Sequence, residues 1–590
     1  MPSVITIDSG RPVDDIERHL RVVAGPGAGK THWLIVQISH VIRSSPRLPE
    51  PSRVGCISYT NAAVTEILRR LGDAADRAEV ATIHSFLYRN VVRPYLHLLR
   101  DAAGKPLVAF ELVDGHDDPR PTYGSVREGL TRAGYVGQIP QEAVEFARSL
   151  RWQRDGASGS WSLKPKDAYR RPSGFFAKQE HVDAIKQPLW DRGIIDHDDL
   201  LYFAYLILER NPLVTAHLAD RFPYLFVDEF QDTVPIQTQI VRWLAEQGTK
   251  VTVIGDREQS IYEFAGASPE DFDGFSLPDQ FDLQLLGNRR STKRITSLLN
   301  ALRSDGLEQQ PVREDRGEEV VFLVGAHPAA LGMARAMADD GRQEVIVLAR
   351  NNDLVAATRS PDAAGAKSAW SEFYESDAAR AVFFERLVRG VEMARLGDPA
   401  SGLREALKSI RIRSASGPLK CPTALGDWDR KSVAVGIVEF LVSHRDELGA
   451  MSLSDVYAAT RERLGLLHNG LTLTGVSAGK FQEFARRTMF SSLVATVDMP
   501  DDGRQVRTIH RAKGQEFDNV YVRLEDGKKG PKAEKLIASM MEQEPSSEET
   551  RLVYVACSRP RERLFVSLPS LAPELELRLR SINVRIHRCK

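Results

Sequence analysis

A short stretch near the N-terminus limits the possible folds more than any other part of this chain. Residues 24–31 read AGPGAGKT, directly after an apolar run and directly before a helix-like segment. Glycine and small residues at this spacing let backbone N–H groups curl around phosphate oxygens. The N-terminus of the following helix adds a partial positive charge. In such a loop Ala24, Gly25, Pro26, Gly27, Ala28 and Gly29 form the cradle. Lys30 then reaches the β- and γ-phosphates of a nucleoside triphosphate, and Thr31 ligates Mg²⁺. The strict form of the loop opens on glycine, where this chain has Ala24. A glycine-rich turn with no ligand is the competing reading; GKT in a strand–loop–helix context weighs against it.

Other short apolar runs have the signature of buried parallel strands between helices: 20–24, 54–59, 225–227, 251–254, 345–349, 520–522 and 564–567. Strands alternating with helices indicate an α/β architecture. The runs fall into two sets, before and after about residue 285, and each set is interrupted. The interruption at 91–195 is rich in Arg, Trp and Tyr; that at 354–499 is mostly helix-like. The simplest organisation is two α/β domains, each with a largely helical insertion. A length of 590 residues fits this, at roughly 100–200 residues per domain. The longest apolar run, 200–208, suits a buried helix rather than a membrane span, which needs about 18 apolar residues or more. MPSVITIDSG has neither a basic flank nor an apolar signal core, so the default expectation is a cytoplasmic protein without a membrane partner. Cys56, Cys421, Cys557 and Cys589 are not spaced as metal ligands and are expected to be reduced thiols. A net charge of −1 is unlike that of a protein that coats nucleic acid, so any such site must be a local groove. Lys528, Lys529, Lys532 and Lys535 form a small basic loop.

Downstream of the phosphate loop, LFVDEFQD ends an apolar strand in two adjacent carboxylates. Asp228 is placed to hold the Mg²⁺ shell, and Glu229 to orient and deprotonate an attacking water. Acid pairs alone are common on surfaces. Together with the phosphate loop they indicate nucleotide hydrolysis, without saying what it drives.

VDEFQDT followed by GDREQSIYEFAGA resembles superfamily 1 helicases of the UvrD/Rep/PcrA type. The likeness continues in order: SYTNAAVTEILRRL with motif Ia, TIHSFLY with Ib, LGNRRS with IV, TIHRAKGQEFDNVYV with V and ETRLVYVACSRPRERL with VI. IIDHDDLL is similar to the segment before the Walker B strand. The resemblance implies two RecA-like P-loop domains, parallel sheets flanked by helices: domain 1A (1–90 with 196–283) and domain 2A (284–353 with 500–590). The insertions at 91–195 and 354–499 stand where the family has its 1B and 2B subdomains.

The resemblance also implies residue roles. Gln259 senses the γ-phosphate and couples it to DNA, Arg290 and Arg559 act as arginine fingers, and Glu516 contacts the ribose. Tyr262 and Phe264 stack on bases, and Thr60, Asn61, His84, Phe86 and His510 line the same track. By itself the aromatic pair would more often be core packing; its place in motif III before Gly-Ala turns the reading to DNA. The expected cofactors are ATP and Mg²⁺, and the expected substrates single-stranded and tailed duplex DNA, with 3′-to-5′ movement in repair or anti-phage defence.

The chain departs from the family in places. IDSGRPVDDIERHL lacks the glutamine that reads adenine, Ala265 stands at a common arginine, and Arg289 stands at a tyrosine that stacks on the base. The chain runs only about 30 residues past motif VI, so the nuclease domain of RecB- and AddA-like relatives is not expected. These features are similar to the UvrD-like GajB subunit of Gabija phage defence, whose partner is an OLD-like nuclease. The alternative function is therefore an ATP-gated DNA-sensing subunit that licenses such a nuclease. An RNA helicase or a transport ATPase is a third reading; transport ATPases lack motifs V and VI.

Overall fold

Strands separated by helices cannot pair as hairpins, so they hydrogen-bond in parallel and bury both faces. The computed structural model describes residues 4–113, 115, 121–156, 158–165, 172–263, 266–313, 320–338, 344–359, 369–410, 418–420, 425–476, 478–497, 499, 505–526 and 532–589. Its two large sheets, of seven and six strands, are parallel and flanked by helices. Phe264, Ala265, Cys421, Lys528 and Lys529 lie outside the described residues. By its contacts the chain divides into two units, Met1–Val345 with Ala512–Lys590, and Ile346–Arg511.

In the first unit the seven strands run in the order Ile5–Thr6, Gln280–Leu285, His19–Ala24, Lys250–Gly255, Tyr224–Val227, Val54–Ser58, Ala78–Thr82. All neighbours are parallel. Side chains alternate between faces along a strand. Tyr224 and Phe226 accordingly join a core with Trp33 and Ile38, while Leu225 and Val227 join one with Phe203 and Val251. Parallel register puts the carboxyl ends of all the strands at one edge, where open α/β sheets bind ligands. The phosphate loop, Asp228–Glu229, the loop 256–263, Tyr59–Asn61 and Asn288–Arg290 all leave the sheet on that side.

The same unit contains four strands of the other sheet. Val320–Val324 lies between Pro560–Leu568 and Arg585–Arg588, and Phe517–Arg523 pairs with Pro560–Leu568, all parallel. Runs 520–522 and 564–567 fall inside these strands. Gln280–Leu285 alternates polar and apolar residues and Arg585–Arg588 is mostly charged, so neither forms a continuous apolar run. Run 200–208 is buried within the helix His197–Arg210. Among the described residues no helix is long and apolar enough to cross a membrane.

Residues 91–195 are less helical than expected. Short helices, Tyr123–Arg132 and Ala143–Ser149 among them, pack with an antiparallel hairpin of Leu150–Arg154 and Trp161–Pro165. In the second unit, Val506–Thr508 pairs in parallel with Val347–Ala349. The remainder is mainly helical, including Ala378–Arg395, Asp427–Ser443 and Leu453–Leu467, around a core with Phe373, Phe384, Tyr457, Phe481 and Phe484.

A buried charge cluster ties residues 150–190 to the IIDHDDLL segment. Lys186 Nζ lies 2.8 Å from Asp196, 2.8 Å from Asp199 and 3.7 Å from Asp198. Burial opposes its charge, but the three carboxylates hold its pKa above the usual lysine value. The Trp152 and Trp190 indole N–H groups donate to the two oxygens of Asp199 at 3.0 and 3.1 Å. Removing the cation leaves buried carboxylates uncompensated, which costs about 3–5 kcal/mol. Lys186→Ala is expected to lower the unfolding free energy by about that amount, measured by chemical denaturation.

Candidate nucleotide and DNA site

The strand His19–Ala24 ends at the cradle, and the helix Lys30–Ser44 begins at Lys30. Gly27 and Gly29 have φ of 69° and 85°, a left-handed backbone that glycine adopts without a Cβ penalty. Gly27 also lies against the segment that follows the seven-stranded sheet. A Cβ there would fall 2.5 Å from Asn288 Oδ1 and 2.7 Å from Arg290 Cβ. The Arg289 N–H donates to Gly27 O at 2.8 Å, and Gln309 Nε2 donates to Pro26 O at 2.9 Å. Lys30 Nζ donates to Ala24 O at 3.3 Å.

Arg290 and Arg559 meet beside this loop. Arg290 donates to Ser558 O at 2.9 Å and pairs with Glu516 at 2.9 Å, while its buried Nε has no hydrogen-bond partner. Arg559 is 2% exposed and donates to Gln259 Oε1 at 3.0 Å and to Val555 O at 3.0 Å. Burial pulls its pKa down to about 9, and the Arg290 charge pulls the same way against Glu229 and Glu516. A buried cation in that state is stabilised by an anion brought beside it. The donor set therefore fits a phosphate chain. Glu516 is shared between Arg290 and Arg561, which hold its pKa down against burial.

Asp228 and Glu229 follow the strand Tyr224–Val227. Glu229 has φ of 52°, a sparsely populated conformation for a side-chain-bearing residue that clusters at functional sites. Its carboxylate accepts from Gln231 Nε2 at 2.6 Å. Burial pushes Glu229 up, but Lys30, Lys513 and Arg559 more than offset this and hold it ionised. Burial and the neighbouring Glu229 charge push Asp228 upward. Among the described residues no group of three His, Cys, Asp or Glu side chains could hold a metal. A Mg²⁺ here would rely on phosphate oxygens and water beyond Thr31 and Asp228, the usual pattern at phosphoryl sites.

The DNA-contact candidates divide. Tyr262 stacks on Tyr59, ring centroids 4.6 Å apart, with the Lys513 ammonium 5.1 Å from the Tyr262 centroid. Thr60 and Asn61 are exposed, and the Thr60 hydroxyl caps the helix Asn61–Leu71. His84 is half-buried and packs on His197. Phe86 corrects the expectation. It is 1% exposed and packs on Phe222 in the core, because its short helix turns that ring inward, so it does not line a track. His510 belongs to the second unit, on the helix Ile509–Ala512. Tyr59, adjacent to Thr60, is the contact candidate that the sequence reading missed; an aromatic beside the polar end of a strand was its signal. Lys513, within TIHRAKGQEF, was also missed. Arg289 pairs with Asp8 at 3.1 Å, beside a cavity lined by Ile7, Asp8, Arg11 and Pro12.

Residues 7–278 match the family model for the UvrD/REP helicase N-terminal domain, and residues 477–570 that for the UvrD-like helicase C-terminal domain. The ATP-dependent DNA helicase PcrA of Leuconostoc citreum is 24% identical, over 94% of this chain and 80% of its own length. The ATP-dependent DNA helicase UvrD2 of Mycobacterium tuberculosis is 25% identical, over 92% and 76%. The ATP-dependent DNA helicase Rep of Salmonella typhimurium is 27% identical over 48% of this chain, and the match spans 40% of Rep's length. With both family models matched in order around the same cleft, the chain belongs to the UvrD/Rep family of superfamily 1 helicases.

Proposed function

We propose that this chain hydrolyses ATP to translocate 3′-to-5′ along single-stranded DNA and to separate duplex ahead of it. The observation that carries the reading is the meeting of two cation sets at one cleft, Lys30 on the phosphate loop and Arg290 with Arg559 opposite. Lys30 and the cradle 24–29 bind the phosphates, and ionised Glu229 accepts a proton from the attacking water. Thr31 and Asp228 would hold Mg²⁺, which would supply charge neutralisation to the phosphates. Arg290 and Arg559 stabilise the charge that develops in the transition state, while Glu516 holds Arg290 until a ribose approaches. Gln259, bonded to Arg559, carries the state of the cleft to Tyr262 in the same loop. Tyr262 and Tyr59 offer aromatic faces to bases of any sequence. Residues 1–90 with 196–283 and 284–353 with 500–590 serve as motor domains 1A and 2A. Residues 91–195 and 354–499 serve as subdomains 1B and 2B.

A second reading, an ATP-gated DNA sensor that licenses a partner nuclease, is favoured by Arg289. Where a stacking tyrosine is usual, this arginine is held by Asp8. Strand displacement on a 3′-tailed duplex by the purified chain separates the two, since robust unwinding without a partner rules out the sensor.

Lys30→Ala is expected to abolish hydrolysis stimulated by single-stranded DNA; hydrolysis that survives overturns the phosphate-site assignment. Arg559→Ala is expected to slow hydrolysis by about 10³–10⁵-fold with little change in KM for ATP, measured by steady-state phosphate release. Gly27→Ala adds left-handed strain of about 1–2 kcal/mol and drives a methyl group into Asn288 and Arg290. It is expected to lower kcat while circular dichroism stays that of the wild type.

A further inference from the structure

The loop 256–263 carries both Gln259 and Tyr262, and four cations from residues beyond 300 grip it. Arg559 donates to the Gln259 side chain, and Lys513 donates to Gln259 O at 2.6 Å and faces the Tyr262 ring. Arg551 donates to Ser260 O at 2.6 Å and pairs with Glu263 at 2.7 Å. The fourth cation, Arg303, has the most complete set of bonds. It caps the helix Lys293–Leu302 and is 1% exposed.

Its fork meets Asp256 at 2.9 and 3.1 Å, Asp305 at 2.6 and 2.9 Å, and the Tyr554 hydroxyl at 2.8 Å. That uses all five N–H donors of a guanidinium. Asp256 in turn accepts from Gln259 Nε2 at 2.6 Å, and Gln259 Oε1 accepts from Arg559. The Gln259 amide therefore has both ends committed, one to each arginine's network. Asp256 feels the Lys30 charge, but its hydrogen bonds with other side chains run to Arg303 and Gln259, so Arg303 acts on the cleft through Asp256 and Gln259.

We propose that Arg303 is a positioning residue that couples the nucleotide to DNA. By clamping Asp256 it fixes the rotamer of Gln259 against Arg559, and through the same loop it sets Tyr262 against Tyr59. This rests on the motor reading above. A buried bidentate pair suits the task, because its planar geometry admits one arrangement and a change at Arg559 is transmitted rather than absorbed.

The test is thermodynamic linkage. The Kd of a labelled oligo(dT) is measured with and without a non-hydrolysable ATP analogue and Mg²⁺, for the wild type, Arg303→Gln and Arg303→Lys. The wild type is expected to show a ratio of about 5–150-fold between the two conditions. Arg303→Gln is expected to bring the ratio close to one, with the analogue's own affinity within a few-fold of the wild type. Arg303→Lys keeps the charge but loses the fork, and is expected to fall between. If Arg303→Gln does not fold, Arg303→Lys carries the test. A wild-type ratio in the folded variants, even with a lowered Tm, means Arg303 is merely structural and overturns the proposal. A ratio of one in the wild type itself removes the motor reading and the proposal together, and is recognised because no substitution is involved.

Discussion

Arg559 and Arg290 sit together in a buried cleft, with Lys30 and Lys513 facing the same two carboxylates. Bringing like charges out of water is expensive unless opposite charge compensates them. Glu229 and Glu516 offset burial and the Arg290 charge at Arg559 only in part, so its pKa stays below the usual arginine value. A polyanion would complete the balance, and the rest of the architecture can be understood as the means of holding these groups in place. The parallel sheet gathers Lys30, Asp228 and Glu229 at one edge, and left-handed glycines let the backbone approach closely enough for Arg290 to lie over the loop.

In the proposed motor, nucleotide chemistry and DNA contact share one short loop. Two residues, Ser260 and Ile261, separate Gln259 from Tyr262, a span of about 10 Å at full extension. So short a connection between a cleft-facing amide and a stacked aromatic leaves little slack. The backbone carbonyls of Gln259 and Ser260 are bonded to Lys513 and Arg551, and the side chains of Asp256 and Gln259 to Arg303 and Arg559. A shift of the segments that carry those cations would therefore act on the loop as a whole.

The parts of the site that were legible in the sequence are those whose chemistry is local. AGPGAGKT, LFVDEFQD and the ordered motifs each imply their own backbone conformation, and the apolar runs marked most of the buried strands. Phe86 shows where local reading fails. An aromatic in TIHSFLY suits a base-stacking role equally well as a core role until the helix orientation is known, and Phe222 decides it. Tyr59 was missed for the converse reason, since nothing in SYTN says that its ring will meet Tyr262, far away in the chain. The hairpin at 150–165 was hidden because Trp and Arg serve strands and helices alike.

By itself the sequence determined the α/β class, the phosphate cradle, the paired carboxylates and the family, because each depends on residue types within a few positions of one another. Only the tertiary structure decided that Arg303 pairs with Asp256, that Gln259 is held at both ends and that Arg559 is buried close to Arg290. Those facts are set by distances between segments far apart in the chain. Whether a buried charge is paired or stranded depends on which segments pack together, and local spacing carries no record of that.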